Sequence, residues 1–114
     1  MPILAAACAL LTIIQPLAAQ APIVSGARDP AYASDGRLAL SVRGDLWVVL
    51  PDGRWQRVTS GAAWDREPAW SADGRSLIYS SNADGSFDLW RIALRTDGSP
   101  VGAPAKLARG AGPN

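Results

Sequence analysis

Aspartate is the residue type in this sequence whose spacing most suggests chemistry, because carboxylates act as general acids or bases and bind cations. Asp35, Asp52, Asp73 and Asp97 each stand directly before a glycine. Asp-Gly is a typical turn sequence, in which the carboxylate accepts a hydrogen bond from a nearby backbone N–H. We therefore expect these four side chains to form turns rather than to act in catalysis.

Four further carboxylates occupy matched places in the sequence. Asp29 and Glu67 each precede a proline, and Asp45 and Asp88 each precede a Leu-Trp pair. We expect them to bind arginines or backbone amides and so to hold the structure together. The segment NADGS (82–86) begins like a calcium loop, but no glutamate follows at the required spacing. The sequence therefore predicts no metal ligand.

Nucleophilic catalysis lacks its usual partners, because the chain contains no histidine and a single cysteine. Without imidazole there is no Ser-His or Cys-His system and no histidine metal ligand. Cys8 lies in the apolar N-terminus, and Ser71, Ser80 and Ser81 have no base to activate them, so we expect these serines to be structural. The sequence predicts no catalytic residue and no cofactor-binding residue.

Net charge and aromatic content indicate the kinds of partner. A formal charge of +1, from 11 basic and 10 acidic residues, disfavours a nucleic acid or a membrane surface. Trp47 and Trp90 occupy matched positions, as do Tyr32 and Trp70, and packing explains all four. Trp55 and Trp64 have no such counterparts and are the better candidates for an exposed contact.

The N-terminus has the composition of an export segment. The first charged side chain is Arg28, and residues 3–14 are apolar. This stretch is shorter than the ~20 residues that a membrane-spanning helix needs. Pro16 and small residues follow, so we interpret residues 1–21 as a helical signal peptide cleaved after Ala19 or Ala21. We expect a periplasmic or secreted chain; the alternative is an uncleaved membrane anchor.

A phrase of fifteen residues occurs twice, as DPAYASDGRLALSVR (29–43) and EPAWSADGRSLIYSS (67–81). Pro30 and Pro68 are 38 residues apart, and Asp-Gly-Arg follows each at the same spacing. The likeness continues from GDLWVVLPDG (44–53) to FDLWRIALRTDG (87–98), and from WQRVT (55–59) to PAKLA (104–108). We call the two copies the first and second units of a tandem repeat.

Each unit divides into four short strands separated by turn sequences. The first unit has strands at 31–33, 38–43, 46–50 and 55–59; the second has strands at 69–71, 77–81, 89–94 and 105–108. The inner strands carry apolar residues on both faces, which indicates sheets that neighbouring sheets cover on both sides. The pattern predicts an all-β chain of two four-stranded antiparallel sheets stacked as propeller blades.

These residues resemble the WD-repeat-like blades of TolB-type β-propellers, over about residues 23–113. The resemblance implies blade 1 at 22–66, with a preceding outer strand at 23–26, blade 2 at 67–110, and the start of a third repeat at 111–114. A closed propeller has about four to eight blades, so we expect part of a longer protein or self-association through uncovered blade faces. TolB-type proteins place a separate α/β domain before the propeller, whereas here we expect the blades to follow the export segment directly.

The leading functional hypothesis is a non-catalytic, exported propeller module that binds a protein or peptide partner, or serves as a scaffold, in the cell envelope. The alternative is the N-terminal propeller fragment of a larger exported hydrolase. That hydrolase would be an amidohydrolase or a prolyl-oligopeptidase-type peptidase whose catalytic domain lies outside these 114 residues.

Overall fold

A computed structural model describes residues 26–109, which form two antiparallel sheets of four strands. The first sheet contains β1 (Ala27–Tyr32), β2 (Leu38–Val42), β3 (Asp45–Val49) and β4 (Trp55–Arg57). The second contains β5 (Asp65–Trp70), β6 (Ser76–Ser81), β7 (Asp88–Leu94) and β8 (Pro100–Arg109). In both sheets each strand pairs with the next along the chain. Within residues 26–109, the prediction of an all-β fold with two such sheets is confirmed.

Residues 26–109 contain no helix long and apolar enough to cross a membrane. Three predicted features lie outside the described residues: the signal peptide at 1–21, the main part of the outer strand at 23–26, and the start of a third repeat at 111–114. The second sheet begins at Asp65, two residues before the predicted start of the second blade at 67.

The four Asp-Gly sequences form turns, as expected. In each, the aspartate Oδ1 accepts the backbone N–H two residues later, at 2.9–3.2 Å, and the glycine adopts a positive φ. The four pairs are Asp35 with Arg37, Asp52 with Arg54, Asp73 with Arg75, and Asp97 with Ser99. Each turn joins two consecutive antiparallel strands.

The first strand of each sheet begins earlier than predicted and contains an irregularity. The sequence placed these strands at 31–33 and 69–71, whereas β1 and β5 begin at Ala27 and Asp65. Their pairing shifts register between Arg28 and Ala31 and at the matching place in β5. Within these shifts Asp29 and Glu67 have φ of 56° and 57°. The irregularity interrupts the alternation of faces, which explains why the pattern hid the start of each strand.

The two units match in register with one correction to their alignment. Leu40 pairs with Trp47 and Tyr79 pairs with Trp90, so Leu40 corresponds to Tyr79, 39 residues later rather than 38. The reason is the β5–β6 hairpin. It closes with Ser71 N to Ser76 O, whereas its counterpart closes with Ala33 N to Arg37 O, one residue shorter.

The sheets stack on a shared apolar core. Ala39, Leu46 and Val48 of the first sheet, with Leu50 and Val58 beside them, pack against Leu77, Tyr79, Ile92 and Leu94 of the second. Neighbouring residues of a strand point to opposite faces. Trp47 therefore lies on the face turned away from the second sheet, whereas its counterpart Trp90 packs against the core. The two matched sheets are stacked front to back.

Candidate binding groove

An open groove of about 840 Å³ lies where the first strands of the two sheets meet. Strands β1 and β5 form one edge of their sheets and contact each other. The charged and aromatic side chains that line this edge groove are Arg28, Asp29, Arg43, Trp64, Arg66, Glu67 and Phe87. The repeat places Arg28-Asp29 and Arg66-Glu67 together, because they occupy the same positions in successive units.

Two backbone positions in the groove are strained. Asp29 and Glu67 adopt the left-handed conformation, which costs a non-glycine residue about 1–2 kcal/mol. The Glu67 backbone N–H donates to Asp29 Oδ2 at 3.1 Å, so the carboxylate of one unit holds the strained backbone of the next. For Asp29, this contact confirms the expectation that these acids bind backbone amides. Glu67 instead lies 3.7 Å from the neighbouring Arg66 side chain.

Trp64 is held at its backbone while its ring stays accessible. Its backbone N–H donates to Asn82 Oδ1 at 2.7 Å, and the residue is 55% exposed. The indole lies against Gly44, where a Cβ atom would come within 2.9 Å of the ring. Glycine at this position therefore lets Trp64 form one wall of the groove.

The groove carries positive charge beside an aromatic surface. Three guanidinium groups, from Arg28, Arg43 and Arg66, line it with two carboxylates, from Asp29 and Glu67. The Arg66 guanidinium carbon lies 3.9 Å from the centre of the Phe87 ring. Stacking of this kind holds a cation in place while leaving donors for a ligand. A carboxylate and an apolar side chain of one extended peptide could bind here together.

The structure separates the two tryptophans that the sequence singled out. Trp64 lines the groove, whereas Trp55, 42% exposed, lies on the outer face of the first sheet. There its ring contacts Trp47 edge-on, with 6.1 Å between ring centroids, and Arg57 lies over Trp47 at 4.7 Å. Of the four aromatic residues expected to pack between the sheets, Trp70 and Trp90 do so. Trp47 lies on the outer face, and Tyr32 is 72% exposed.

The acids that begin the third strands form matched ion pairs, of which Asp45 confirms the expected binding to an arginine, whereas Asp88 binds a lysine. Asp45 pairs with Arg57 of β4 at 3.3 Å, and Asp88 pairs with Lys106 of β8 at 3.0 Å. Burial raises the pKa of Asp45 above its ordinary value, although Arg57 opposes the shift. These pairs join strands within a sheet, and none of their four residues lines the edge groove.

Sequence reasoning missed several residues of the groove. Arg28, Arg43, Asn82 and Phe87 carried no individual signal, although an arginine precedes the acid-Pro pair in both units. That repetition is the pattern that could have revealed Arg28 and Arg66. Within residues 26–109 no cluster of three or more histidine, cysteine or acidic side chains is placed to hold a metal ion.

No protein-family model, curated protein or solved structure matches this chain. The assignment of a function therefore depends on the geometry of the two sheets and their groove.

Proposed function

We propose that this chain is a non-catalytic module of two β-propeller blades that binds an extended peptide segment of a partner protein. The observation that carries the proposal is the front-to-back stacking of two matched sheets. The first sheet makes this contact through one face, and the matched second sheet makes it through the opposite face. Each sheet therefore keeps an outer face through which the same contact can be repeated. In a β-propeller, neighbouring blades cover one another's faces through repeated contacts of this kind.

The edge groove supplies the binding surface of the proposed module. Its strands belong to a packed scaffold, which limits the entropy that binding costs. The exposed Trp64 offers a large apolar contact of the type found at the centre of protein interfaces, and Arg66 offers a fixed cation. A peptide with a carboxylate near an aliphatic or aromatic side chain suits both.

The proposal is tested with an array of short peptides in which acidic and apolar residues are placed at varied spacings. Binding of the full chain is measured by fluorescence anisotropy. Trp64→Ala and Arg66→Ala should each weaken binding about tenfold or more, as expected at interface hot spots. Trp55→Ala is the matched control, because Trp55 is also exposed but lies outside the groove. Equal loss in all three variants, or no binding peptide, would overturn the proposal.

We also propose that the module acts after export, on the basis of the apolar N-terminus and its small-residue cleavage sites. N-terminal sequencing of the chain recovered from the periplasm or medium should begin at Gln20 or Pro22. Recovery of the intact Met1 terminus in the membrane fraction would favour the uncleaved anchor.

A further inference from the structure

A second cavity, separate from the edge groove, lies between the second sheet and the β4–β5 connection. Its volume is about 260 Å³, and the polar side chains that line it are Thr59, Ser60, Asp65, Tyr79, Ser81 and Trp90. Pockets for drug-sized ligands occupy roughly 300–1,000 Å³, so this cavity suits a smaller molecule.

Asp65 is the most unusual group in this cavity. The residue is only 5% exposed, yet its carboxylate makes no hydrogen bond or ion pair with any residue from 26 to 109. Its backbone is fixed on both sides: Asp65 N donates to Gly44 O at 2.8 Å, and Ser41 Oγ donates to Asp65 O at 2.7 Å. Asp88, equally buried in the same sheet, has Lys106 as its cation at 3.0 Å. Buried carboxylates normally have such a partner.

Two hydrogen-bond donors line the same cavity. Trp90 Nε1 is buried and has no acceptor among the described residues. Burial, reinforced by the charge of Asp65, raises the pKa of Tyr79 far above its ordinary value, so its hydroxyl stays protonated at neutral pH. A buried donor without an acceptor is destabilising, so an acceptor supplied by a ligand is favoured. The cavity thus combines a carboxylate without a cation and an indole N–H without an acceptor.

We propose that this cavity binds a small organic cation in which a primary ammonium group lies next to a carbonyl oxygen. The ammonium group donates to the Asp65 carboxylate and replaces the cation that Asp65 lacks. The carbonyl oxygen accepts from Trp90 Nε1. The rings of Tyr79 and Trp90 add apolar walls, and aromatic walls favour a bound cation. An amino-acid amide has this pattern of groups and a suitable size.

The experiment is a titration of the full chain with glycinamide, followed by the indole N–H signal of Trp90 in nitrogen–proton correlation spectra. Trp90→Phe identifies the signal. Propionamide serves as the control ligand, because it has the same number of heavy atoms and no charge. The proposal expects a saturable shift with glycinamide and a much weaker response to propionamide. Equal responses to both, or no saturable shift, would show that the cavity does not select an organic cation.

Two protein variants distinguish the role of Asp65 from a general effect of charge. Asp65→Asn keeps the shape of the side chain and should weaken glycinamide binding by at least about tenfold, because a charge-assisted hydrogen bond is lost. Asp52→Asn removes an exposed carboxylate that does not line the cavity and should leave binding unchanged. Unchanged affinity in Asp65→Asn would overturn the assignment. If Asp65→Asn fails to fold, the comparison of glycinamide with propionamide on the unaltered chain decides whether the cavity selects an organic cation.

Discussion

The matched carboxylates Asp29 and Glu67 share a strained conformation but differ in what their side chains do. Asp29 accepts the Glu67 N–H, whereas Glu67 has only a long contact with an exposed arginine. Relief of left-handed strain by glycine should therefore differ between the two positions. Glu67→Gly loses little, so we expect the free energy of unfolding to rise by up to about 1 kcal/mol.

Asp29→Gly is the matched variant for this prediction. It relieves the same strain but removes an acceptor, at a cost of about 1 kcal/mol, so its net effect should be close to zero or destabilising. Urea unfolding followed by tryptophan fluorescence measures both. A larger gain for Asp29→Gly than for Glu67→Gly would contradict the role assigned to Asp29 Oδ2.

The aspartates divide into two groups by the direction of their pKa shifts. Those of the turns, at positions 35, 52, 73 and 97, have a pKa below the ordinary 3.8, because side-chain and backbone hydrogen bonds stabilise the charged form. Asp45 has a pKa above 3.8, mainly because it is partly buried. The charged turn aspartates therefore add stability above pH 3.8, which is lost as the pH falls through their folded pKa values.

Asp45 acts in the opposite direction, because folding favours its protonated form. Its contribution is present below pH 3.8 and is lost as the pH rises through its folded pKa. Carbon-detected NMR of the carboxyl groups should show Asp45 titrating at a higher pH than all four turn aspartates. A turn aspartate that titrates above Asp45 would contradict the hydrogen bonds assigned to that turn.

Among the elements, the hairpins show what the sequence could predict and what it could not. The Asp-Gly turns predicted the number of strands and their antiparallel order, because these turns join neighbouring strands by local hydrogen bonds. The sequence alignment of the two units matched Arg75 with Arg37. The longer β5–β6 hairpin instead makes Ser76 the counterpart of Arg37. This one residue changes which face each side chain of β6 occupies, and no local pattern records that choice.

The edge groove was beyond the sequence for a related reason. Trp64 was selected because it lacks a counterpart, and it does line the groove. Asn82 and Phe87 belong to the β6–β7 connection, 18 or more residues further along the chain, and only the stacking of the sheets brings them to Trp64. Contacts of this kind depend on tertiary packing rather than on local preference.

The β2–β3 hairpin offers a prediction at the level of one turn. Its two loop residues, Arg43 and Gly44, have φ of 51° and 87°, as a tight hairpin requires. Gly44→Ala should destabilise the chain for two reasons. The new Cβ would collide with the Trp64 ring, and alanine is unfavourable at this positive φ. Gly53→Ala is the control, with φ of 91° and open space around its Cβ position. It should cost about 1 kcal/mol through backbone strain alone.

The expected order is a larger loss for Gly44→Ala than for Gly53→Ala in the free energy of unfolding, measured by urea denaturation. The emission of Trp64 should also change only in the first variant. Equal losses with no change in Trp64 emission would mean that the ring does not pack on Gly44 as described.

For the whole molecule, the front-to-back stacking leaves two outer faces that correspond to the two halves of the internal interface. The outer face of the first sheet carries Leu38, Trp47 and Val49, the counterparts of Leu77, Trp90 and Ile92 in the core. The outer face of the second sheet carries Ile78 and Leu89, the counterparts of Ala39 and Leu46. The outer face of the first sheet thus resembles the inner face of the second sheet, and the outer face of the second sheet resembles the inner face of the first.

Polar contacts between the sheets show the same correspondence. Ser41 Oγ donates to Asp65 O at 2.7 Å, and Trp70 Nε1 donates to Ala31 O at 2.9 Å. On the outer faces, Ser80 matches Ser41 and Ala27 matches Asp65, while Tyr32 matches Trp70 and Ala69 matches Ala31. A second copy placed head to tail could therefore repeat both hydrogen bonds, with the Tyr32 hydroxyl as the donor in place of the indole.

We therefore expect the full chain to associate head to tail with copies of itself at sufficient concentration. Three or four copies would bring together six or eight sheets, within the range of about four to eight at which propellers close.

Light scattering should show a mass that rises with concentration to a defined limit. Leu89→Arg, which adds a charge to the outer face of the second sheet, should shift the chain toward the monomer. Ala62→Arg, an exposed position in the β4–β5 connection, should not. Both variants keep residues 1–21, so association through the apolar N-terminus would persist in both. A mass that Leu89→Arg leaves unchanged would contradict head-to-tail stacking.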